Sequence, residues 1–477
     1  MSPGSGRPPL VVDLDGTLTP TDTLAESLVG LARLSPLSLL QVPLRLLNGR
    51  AEFKDWVAAR AGVLPERLPY REALVAWLRD EKRKGRRIVL ATAAHRSIAE
   101  RVSAHLGLFD EVLATQAGRN LKGEAKLEAI RAKLGSDFVY AGDSAADRAI
   151  WKASKAAVLV GVAPGVADAV RKEVPVEREF AAEPGGLAAW LRAFRVHQWL
   201  KNLLLFVPLL TAFSFFDVWK LVTTLIGFFA FSFAASASYV FNDLWDLDND
   251  RAHPRKRLRP FASGRIAIAQ GVFAALVSLA VALALASAVS RNFLLMLLLY
   301  LALTSAYSWL LKERALIDVL TLSLLYTLRI LAGSVAIGIP SSSWQLAFSA
   351  FIFLSLALVK RCAELVSLEQ SGQGSAPGRD YRVTDLAVLY PLGVGAALSA
   401  VVVFGLFIST EETRARYATP ELLWLVALGL VYWLARLWIK TSRGKMDDDP
   451  LVYAVTDSGS LMAVTFMVAV TLLAHFY

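Results

Sequence analysis

The chain has 477 residues, of which 55% are hydrophobic and 19% charged, and its net charge is +10. It is too long for one ordinary domain and too apolar for a wholly soluble protein, so a membrane-embedded region is required. The positive balance then suits cytoplasmic anchoring and anionic lipids or phosphate substrates better than nucleic acid. A single cysteine, Cys362, excludes an internal disulfide and any cysteine-based metal cluster. It follows Lys360 and Arg361, so the alternatives are a packed bystander and a reactive thiol.

No apolar core follows Met1–Pro9, so no signal peptide is expected there. Leu10 to Thr19, Leu-Val-Val-Asp-Leu-Asp-Gly-Thr-Leu-Thr, reads as a short buried strand running into a loop. Asp13 and Asp15, two apart at its end, point the same way. That pairing suits a nucleophilic carboxylate beside an acid/base carboxylate. Arg87 to Thr92 is a second buried strand ending in a hydroxyl, Lys122 sits in Asn-Leu-Lys-Gly-Glu, and Phe138 to Asp147 is a third strand ending in the acids Asp143 and Asp147. Strands alternating with helices predict a parallel sheet with its ligand at the carboxyl ends.

These four elements, in this order over residues 10–165, resemble the haloacid dehalogenase superfamily of phosphatases. The resemblance implies a Rossmann-like α/β domain with a helical cap. It implies Asp13 as phosphoryl acceptor, Asp15 as general acid/base, Thr92 holding phosphoryl oxygens, and Lys122 neutralising charge, with Lys126 as the alternative lysine. Mg²⁺ would be held by Asp13, the Asp15 carbonyl and Asp143, supported by Asp147.

The cap is expected over residues 22–85. Inside it Leu31 to Leu47 is unusually apolar but too short and Pro-interrupted to span a bilayer, so it either packs as cap core or lies on the membrane surface. Arg79 to Arg87 reads as a solvated helix end or a headgroup contact. Pro184-Gly185-Gly186 marks a boundary, giving a phosphatase-like domain over 1–185, a linker with amphipathic entry over 186–202, and an all-α membrane domain over 203–477.

Nine transmembrane helices are predicted, at about 203–219, 221–244, 269–289, 293–311, 316–338, 343–366, 385–409, 421–440 and 455–476. Loop lysines and arginines divide fifteen to four in favour of the side that holds Arg251 and residue 190. That side is therefore expected to be cytoplasmic, which predicts a multi-pass protein of the inner (cytoplasmic) membrane with both active sites facing the cytoplasm.

The second span runs into Asn242-Asp243-Leu244-Trp245-Asp246-Leu247-Asp248-Asn249-Asp250, followed by Arg251, His253, Pro254, Lys256, Arg257, Arg259 and Pro260. If the helix continues, Asp243, Asp246 and Asp250 fall within an arc of roughly 60°, with Asp248 opposite. Three carboxylates on one face at a membrane edge are costly without a cation, and oxygen-only ligands suit Mg²⁺ with a phosphate substrate. Deeper in the chain, Lys312 and Asp318 flank the fifth span, and Arg329 lies about 16 Å further along nearly the same face. It is read as serving a polar cavity, with a structural ion pair as the alternative. Lys360, Arg361 and Glu364 close the sixth span; Asp447-Asp448-Asp449 is either functional or only solvated.

The spacing N-D-x-x-D-x-x-x-D, then R-x-H-P-x-K and R-P, resembles the UbiA superfamily of intramembrane prenyltransferases. Arg195 to Asn202, Asp318 to Gly333, Lys360 to Glu364 and Asp448 to Tyr453 make residues 192–477 similar to its decaprenyl-phosphate phosphoribosyltransferase branch. The resemblance implies Mg²⁺ on Asp243, Asp246 and Asp250. It implies transfer of phosphoribosyl from phosphoribosyl diphosphate to a polyprenyl phosphate, feeding arabinofuranose donors of the cell envelope. Asn242, Arg251, Lys256, Arg257, Lys312, Asp318, Tyr326, Arg329, Lys360, Arg361, Lys201 and Asn202 are the expected substrate contacts. The loop 370–381 departs from the pattern and leaves Arg379 and Tyr381 unassigned. The expectation is a bifunctional enzyme whose soluble domain removes the 5-phosphate, with homo-oligomers compatible with the sequence. The rival reading is a prenyltransferase moving a polyprenyl group to an aromatic or other small acceptor, beside an unrelated phosphatase.

Overall fold

A computed structural model describes residues 6–116, 120–181, 185–372, 374, 379–446 and 450–477. Asp447, Asp448 and Asp449 lie outside the described residues, as do Pro184 and positions 373 and 375–378 of the loop 370–381. The chain divides into two compact units, Met1–Phe194 with Tyr239–Leu276, and Arg195–Ser238 with Val277–Tyr477.

In the first unit, β1 (Leu10–Val12), β2 (Ile88–His95), β3 (Glu111–Thr115), β4 (Val139–Gly142), β5 (Ala156–Val160) and β6 (Val176–Phe180) form one parallel sheet. Its order is β3-β2-β1-β4-β5-β6. The inner strands β1 and β5 read as unbroken apolar runs because both faces are covered: in β1, Leu10 and Val12 enter one core, Val11 the other. Strand order reverses between β1 and β4, which opens a crevice at their carboxyl ends. Asp13 and Asp143 are the first residues beyond those two strands.

Between β1 and β2 lie α1 (Thr23–Leu34), the apolar segment Pro36–Leu47, and α2 (Arg50–Ala58). Asp22 caps α1 by accepting from the Leu24 and Ala25 amides. One side of α1 places Leu31 against Phe53 and Val57 of α2. The other sets Ala25 and Val29 against a cluster holding Leu244, Leu247 and Phe261. The helix Glu72–Arg83, inside the expected cap, packs on the sheet instead, because Leu74, Val75 and Leu78 share one face and join Leu10 and Ile88. Nor is Leu31 to Leu47 uniform: Leu31 is fully buried, whereas Leu34, Leu37, Leu40, Leu44 and Leu47 are each at least 67% exposed. The run Arg79 to Arg87 also divides, since Arg86 is buried and holds Glu81 and, through two bonds, Glu177.

Among the described residues eight helices are long and apolar enough to cross a membrane: α4 (Val218–Trp245), Ile268–Val289, Arg291–Leu311, α6 (Ile317–Ile337), α7 (Ser343–Gln370), Val383–Ile408, Pro420–Ser442 and Ser458–Phe476. In this labelling α3 is Glu124–Leu134 and α5 is Leu247–Ala252. The ninth expected span, at 203–219, is a 3-10 stretch Val196–Phe206 followed by a short helix Val207–Thr211. At ~2 Å per residue the first piece reaches about 22 Å. The second adds about 7 Å. The sum approaches the ~30 Å hydrocarbon core, so this segment has the reach of a span without being a long helix.

Candidate functional site

The β1–β4 crevice holds a cavity of about 500 Å³ lined by Asp13, Asp15, Lys122, Lys126, Asp143 and Asp147, among others. The Leu14 amide donates to Asp13 Oδ1 at 2.8 Å, which fixes the carboxylate at the strand end. Lys126 Nζ, on the first turn of α3, donates to Asp13 Oδ2 at 2.6 Å. The Tyr140 hydroxyl, on β4, accepts from Lys126 at 3.0 Å and donates to Asp147 Oδ1 at 2.9 Å. The lysine on the Asp13 carboxylate is thus Lys126, and the preference for Lys122 is corrected. Lys122 lines the cavity just before α3, whereas the helix start turns Lys126 inward, leaving it 4% exposed.

Asp15 Oδ1 accepts from the Thr23 amide at 2.9 Å, so the opening of α1 sets its direction. Burial, then the neighbouring Asp22 charge, pushes the Asp15 carboxyl up to about 7. Burial, then Asp147 and Asp13, pushes Asp143 to about 7 as well, although the Thr17 hydroxyl donates to it at 3.1 Å. Asp147 is steadied by the Asp143 and Ser144 amides, each 3.3 Å away. Thr92 is fully buried on β2, and its hydroxyl oxygen accepts from the Ala94 amide at 3.0 Å. From α2, Lys54 donates to the Ala93 carbonyl and to Asn120 Oδ1 at 2.8 Å.

Ligand oxygens of Asp13, Asp143 and Asp147 lie within 4.8 Å of one another, the spacing a single cation needs. A Cβ on Gly16 would fall 2.3 Å from Asp143 Oδ2, so the loop backbone closes on the same spot. Four acids gather around Lys126, and burial with repulsion from neighbouring acids raises three of them, Asp13, Asp15 and Asp143. A divalent cation bound by oxygen is the charge this donor set fits.

The acidic loop belongs to the same unit. α4 ends at Trp245 and α5 begins at Leu247, with Asp246 between them. The Asp246 amide still donates to the Asn242 carbonyl and the Asp250 amide to the Asp246 carbonyl, so the turn continues through the break. Asp243 and Asp250 are buried on one side, and Arg259 Nη1 reaches them at 3.1 and 2.7 Å. Arg259 therefore stands where a bound cation was expected. Burial raises the Asp250 carboxyl, with Arg259 opposing. Asp246 is half-buried. Asp248 faces away, as expected, and pairs with Arg33 of α1. Among the described residues these acids form no close trio like that of Asp13, Asp143 and Asp147.

Arg251, expected to contact a phosphate, is engaged by the protein itself. It donates to Glu26 of α1 through two nitrogens at 3.0 and 2.6 Å and to the Ala262 carbonyl at 3.0 Å. Its expected role is corrected by a partner 225 positions away in the chain. Lys256 and Arg257 are exposed just beyond, and Asn242 is half-buried on α4.

In the second unit, Arg329 is buried and donates to Asn202 Oδ1 at 2.9 Å, to the Leu325 carbonyl at 2.6 Å and to the Tyr300 hydroxyl at 3.2 Å. Its guanidinium lies over the rings of Tyr300 and Tyr326, and Lys201 Nζ lies 5.9 Å from the Tyr326 ring centre. None of these Arg329 partners is an acid, so among the described residues it is held by neutral groups. A Cβ at Gly333 would meet the Leu205 carbonyl at 2.2 Å, which explains glycine where α6 crosses the 3-10 stretch. Asp318 and Arg361, both expected to meet substrate, are fully buried and pair with each other at 2.6 Å. Tyr381 donates to Asp318 at 2.5 Å, and Arg361 and Arg379 share Glu364. Lys312 follows a π turn, Tyr307–Leu311, and Lys360 is half-buried on α7.

A family model described as the UbiA prenyltransferase family matches residues 203–456, more than half of the chain. The chain belongs to the UbiA family. A second model, haloacid dehalogenase-like hydrolase, matches residues 10–152, so this UbiA protein carries a hydrolase-like domain ahead of its membrane helices. It is 38% identical to a Sinorhizobium fredii protein named uncharacterized protein y4nM, across 97% of this chain and 91% of that one. It is 37% identical to the nodulation protein NoeC of Azorhizobium caulinodans, across 58% and 89%. It is 34% identical to the decaprenyl-phosphate phosphoribosyltransferase of Mycobacterium tuberculosis, across 46% and 74%. A solved UbiA homologue from Archaeoglobus fulgidus, bound to GPP and Mg²⁺, superposes with a TM-score of 0.45 at 20% identity, covering 61% of this UbiA chain and 100% of its own.

Sequence reasoning missed Tyr140, Glu26 and Arg259 as site residues. Arg259 had a signal, since it closes the basic run nine residues after Asp250. Tyr140 had a weaker one, sitting inside the strand that delivers Asp143.

Proposed function

We propose that the membrane helices transfer a 5-phosphoribosyl group from phosphoribosyl diphosphate to a polyprenyl phosphate, releasing diphosphate. The hydrolase domain, residues 1–185 in this reading, then removes the 5-phosphate to leave polyprenyl phosphoribose. The observation that carries the proposal is a phosphatase-like constellation, with Lys126 on Asp13 and Asp15 beside it, in one chain with helices similar to a phosphoribosyltransferase. Transfer leaves a phosphate on the ribose, and a tethered second site meets its product at high effective concentration.

In the hydrolase pocket an Asp13 oxygen attacks phosphorus, forming an acyl phosphate and breaking the P–O bond to the ribose. Asp15, with its carboxyl near 7, is protonated often enough at neutral pH to give its proton to the departing ribose oxygen. Once deprotonated it takes a proton from water, which opens the acyl phosphate and restores Asp13. Lys126 and the Leu14 amide hold the nucleophile in place throughout. Mg²⁺ on Asp13, Asp143 and Asp147 would neutralise phosphate charge, and Mg²⁺ on Asp243, Asp246 and Asp250, taking the place Arg259 holds in this structure, would make diphosphate a better leaving group. Lys256 and Arg257 lie exposed beside those acids, available to a phosphate. Both sites are placed on the cytoplasmic side of the inner membrane in this reading.

The test is lipid mass spectrometry of purified protein given phosphoribosyl diphosphate and a polyprenyl phosphate. The wild type is expected to yield polyprenyl phosphoribose, and Asp13→Asn the same lipid heavier by one phosphate. Identical lipids from both would refute the hydrolase half. Incorporation of label from a prenyl diphosphate, and none from the ribosyl one, would refute the transferase half in favour of prenyl transfer.

A further inference from the structure

We propose that Pro36–Leu47 is a bilayer-inserted entrance to the Asp13 pocket, which fits that pocket for a phosphate carried on a long apolar chain. The inference deepens the phosphatase reading above and rests on it for the substrate class. The segment reads Pro-Leu-Ser-Leu-Leu-Gln-Val-Pro-Leu-Arg-Leu-Leu, and each of its leucines is at least 39% exposed. Exposed leucine at that density is a liability in water. Twelve residues interrupted by Pro43 cannot cross a bilayer, but an apolar segment of this length can lie within its interface.

Three observations name the bilayer as the occupant. Among the described residues eight helices are long and apolar enough to cross a membrane, so lipid is the chain's native surrounding. No acid occurs between Pro36 and Leu47, while Arg45 and Arg50 are exposed along the same stretch, a balance that matches anionic headgroups. The apolar surface is also continuous with the chemistry, because Leu46 and Arg50 line the cavity that holds Asp13 and Asp15. A lipid phosphate could then place its head among the acids and Lys126 while its chain lies over Leu37, Leu40 and Leu44. A water-soluble phosphate would gain nothing from these leucines.

The experiment uses the full chain in vesicles of phosphatidylcholine and phosphatidylglycerol. Leu40→Cys and Leu44→Cys each carry an environment-sensitive fluorophore; native Cys362 is fully buried and does not compete. Emission at both sites is expected to shift to the blue and to be quenched by nitroxide-labelled lipid. An exposed control, Lys172→Cys, is expected to be quenched by aqueous iodide and not by lipid. Iodide quenching at 40 and 44 equal to the control overturns the proposal. So does shielding from iodide without lipid quenching, which would mean that protein, such as a second copy, covers the leucines. In the same vesicles Leu40→Gln/Leu44→Gln is expected to lower kcat/KM for a polyprenyl-linked phosphate severalfold relative to a soluble sugar phosphate. Equal loss on both substrates overturns the entrance role. If the wild type hydrolyses neither substrate, the phosphatase reading falls and the substrate class with it, while the quenching result still decides bilayer insertion.

Discussion

Arg251→Met separates a structural from a substrate role for an arginine that the sequence places beside phosphate. The Arg251 and Glu26 side chains are each 6% exposed, and they meet through two bonds at 3.0 and 2.6 Å. Glu26 also accepts from the Thr21 hydroxyl at 2.7 Å, and Arg251 Nε donates to Ala262 at 3.0 Å. Methionine fills similar volume but leaves a buried carboxylate with only the threonine. Removing one partner of such a pair costs ~3–5 kcal/mol. In a unit of this size that corresponds to a fall in Tm on the order of 10 °C. The assay is thermal unfolding of the full chain in detergent, followed by tryptophan fluorescence. Glu26→Gln/Arg251→Met removes the uncompensated charge and is expected to recover much of the loss. An unchanged Tm together with lost transferase activity would refute the reasoning and return Arg251 to the phosphate.

Lys126→Met is expected to lower phosphatase turnover by ~10²–10³, since it removes the cation beside the reacting oxygens, whereas Lys122→Met stays within ~10-fold; equal losses would reverse the assignment. Asp15 rests at about 7 when folded against an ordinary 3.8, so the folded chain binds more protons than the unfolded one between those values. Stability therefore falls as pH rises through that window, and the full cost is present above about 7. Asp15→Asn in chelator should consequently raise Tm at pH ~8 more than at pH ~5, and an equal gain at both would remove burial as the cause. Arg329→Leu strips donors from Asn202 and the Leu325 carbonyl, a loss of ~1–3 kcal/mol, and should be less than additive with Asn202→Ala. Strict additivity in thermal unfolding would show that the two side chains do not act together.

Much of the fold was legible because its signals are local. Apolar runs of strand length, each followed by an acid, placed Asp13 and Asp143 at the carboxyl ends of parallel strands, whereas β2, expected to end at Thr92, runs on to His95. Hydropathy over ~20 residues located the eight helices that, among the described residues, are long and apolar enough to cross a membrane, because a bilayer demands a minimum length. The 3-10 stretch at Val196–Phe206 escaped that logic, since composition does not report rise per residue. The spacing of Asp243 and Asp250 put them on one side, as helical periodicity requires, and sent Asp248 the other way.

Pairing between distant side chains was not legible. Lys122 and Lys126 stand four residues apart and both line the pocket, and the start of α3 at Glu124 decides which one reaches the Asp13 carboxylate. Glu26 meets Arg251, Asp318 meets Arg361, and Arg329 meets Asn202 across 225, 43 and 127 positions. A charge in a sequence states what it can bind. Which of several available partners it takes depends on the route of the backbone and on what burial leaves within reach, and those are settled only when the elements pack. The sequence alone carried the marks of the two families and the elements that bear their motifs; the tertiary structure decided which charges lie exposed and which are spent holding the protein together.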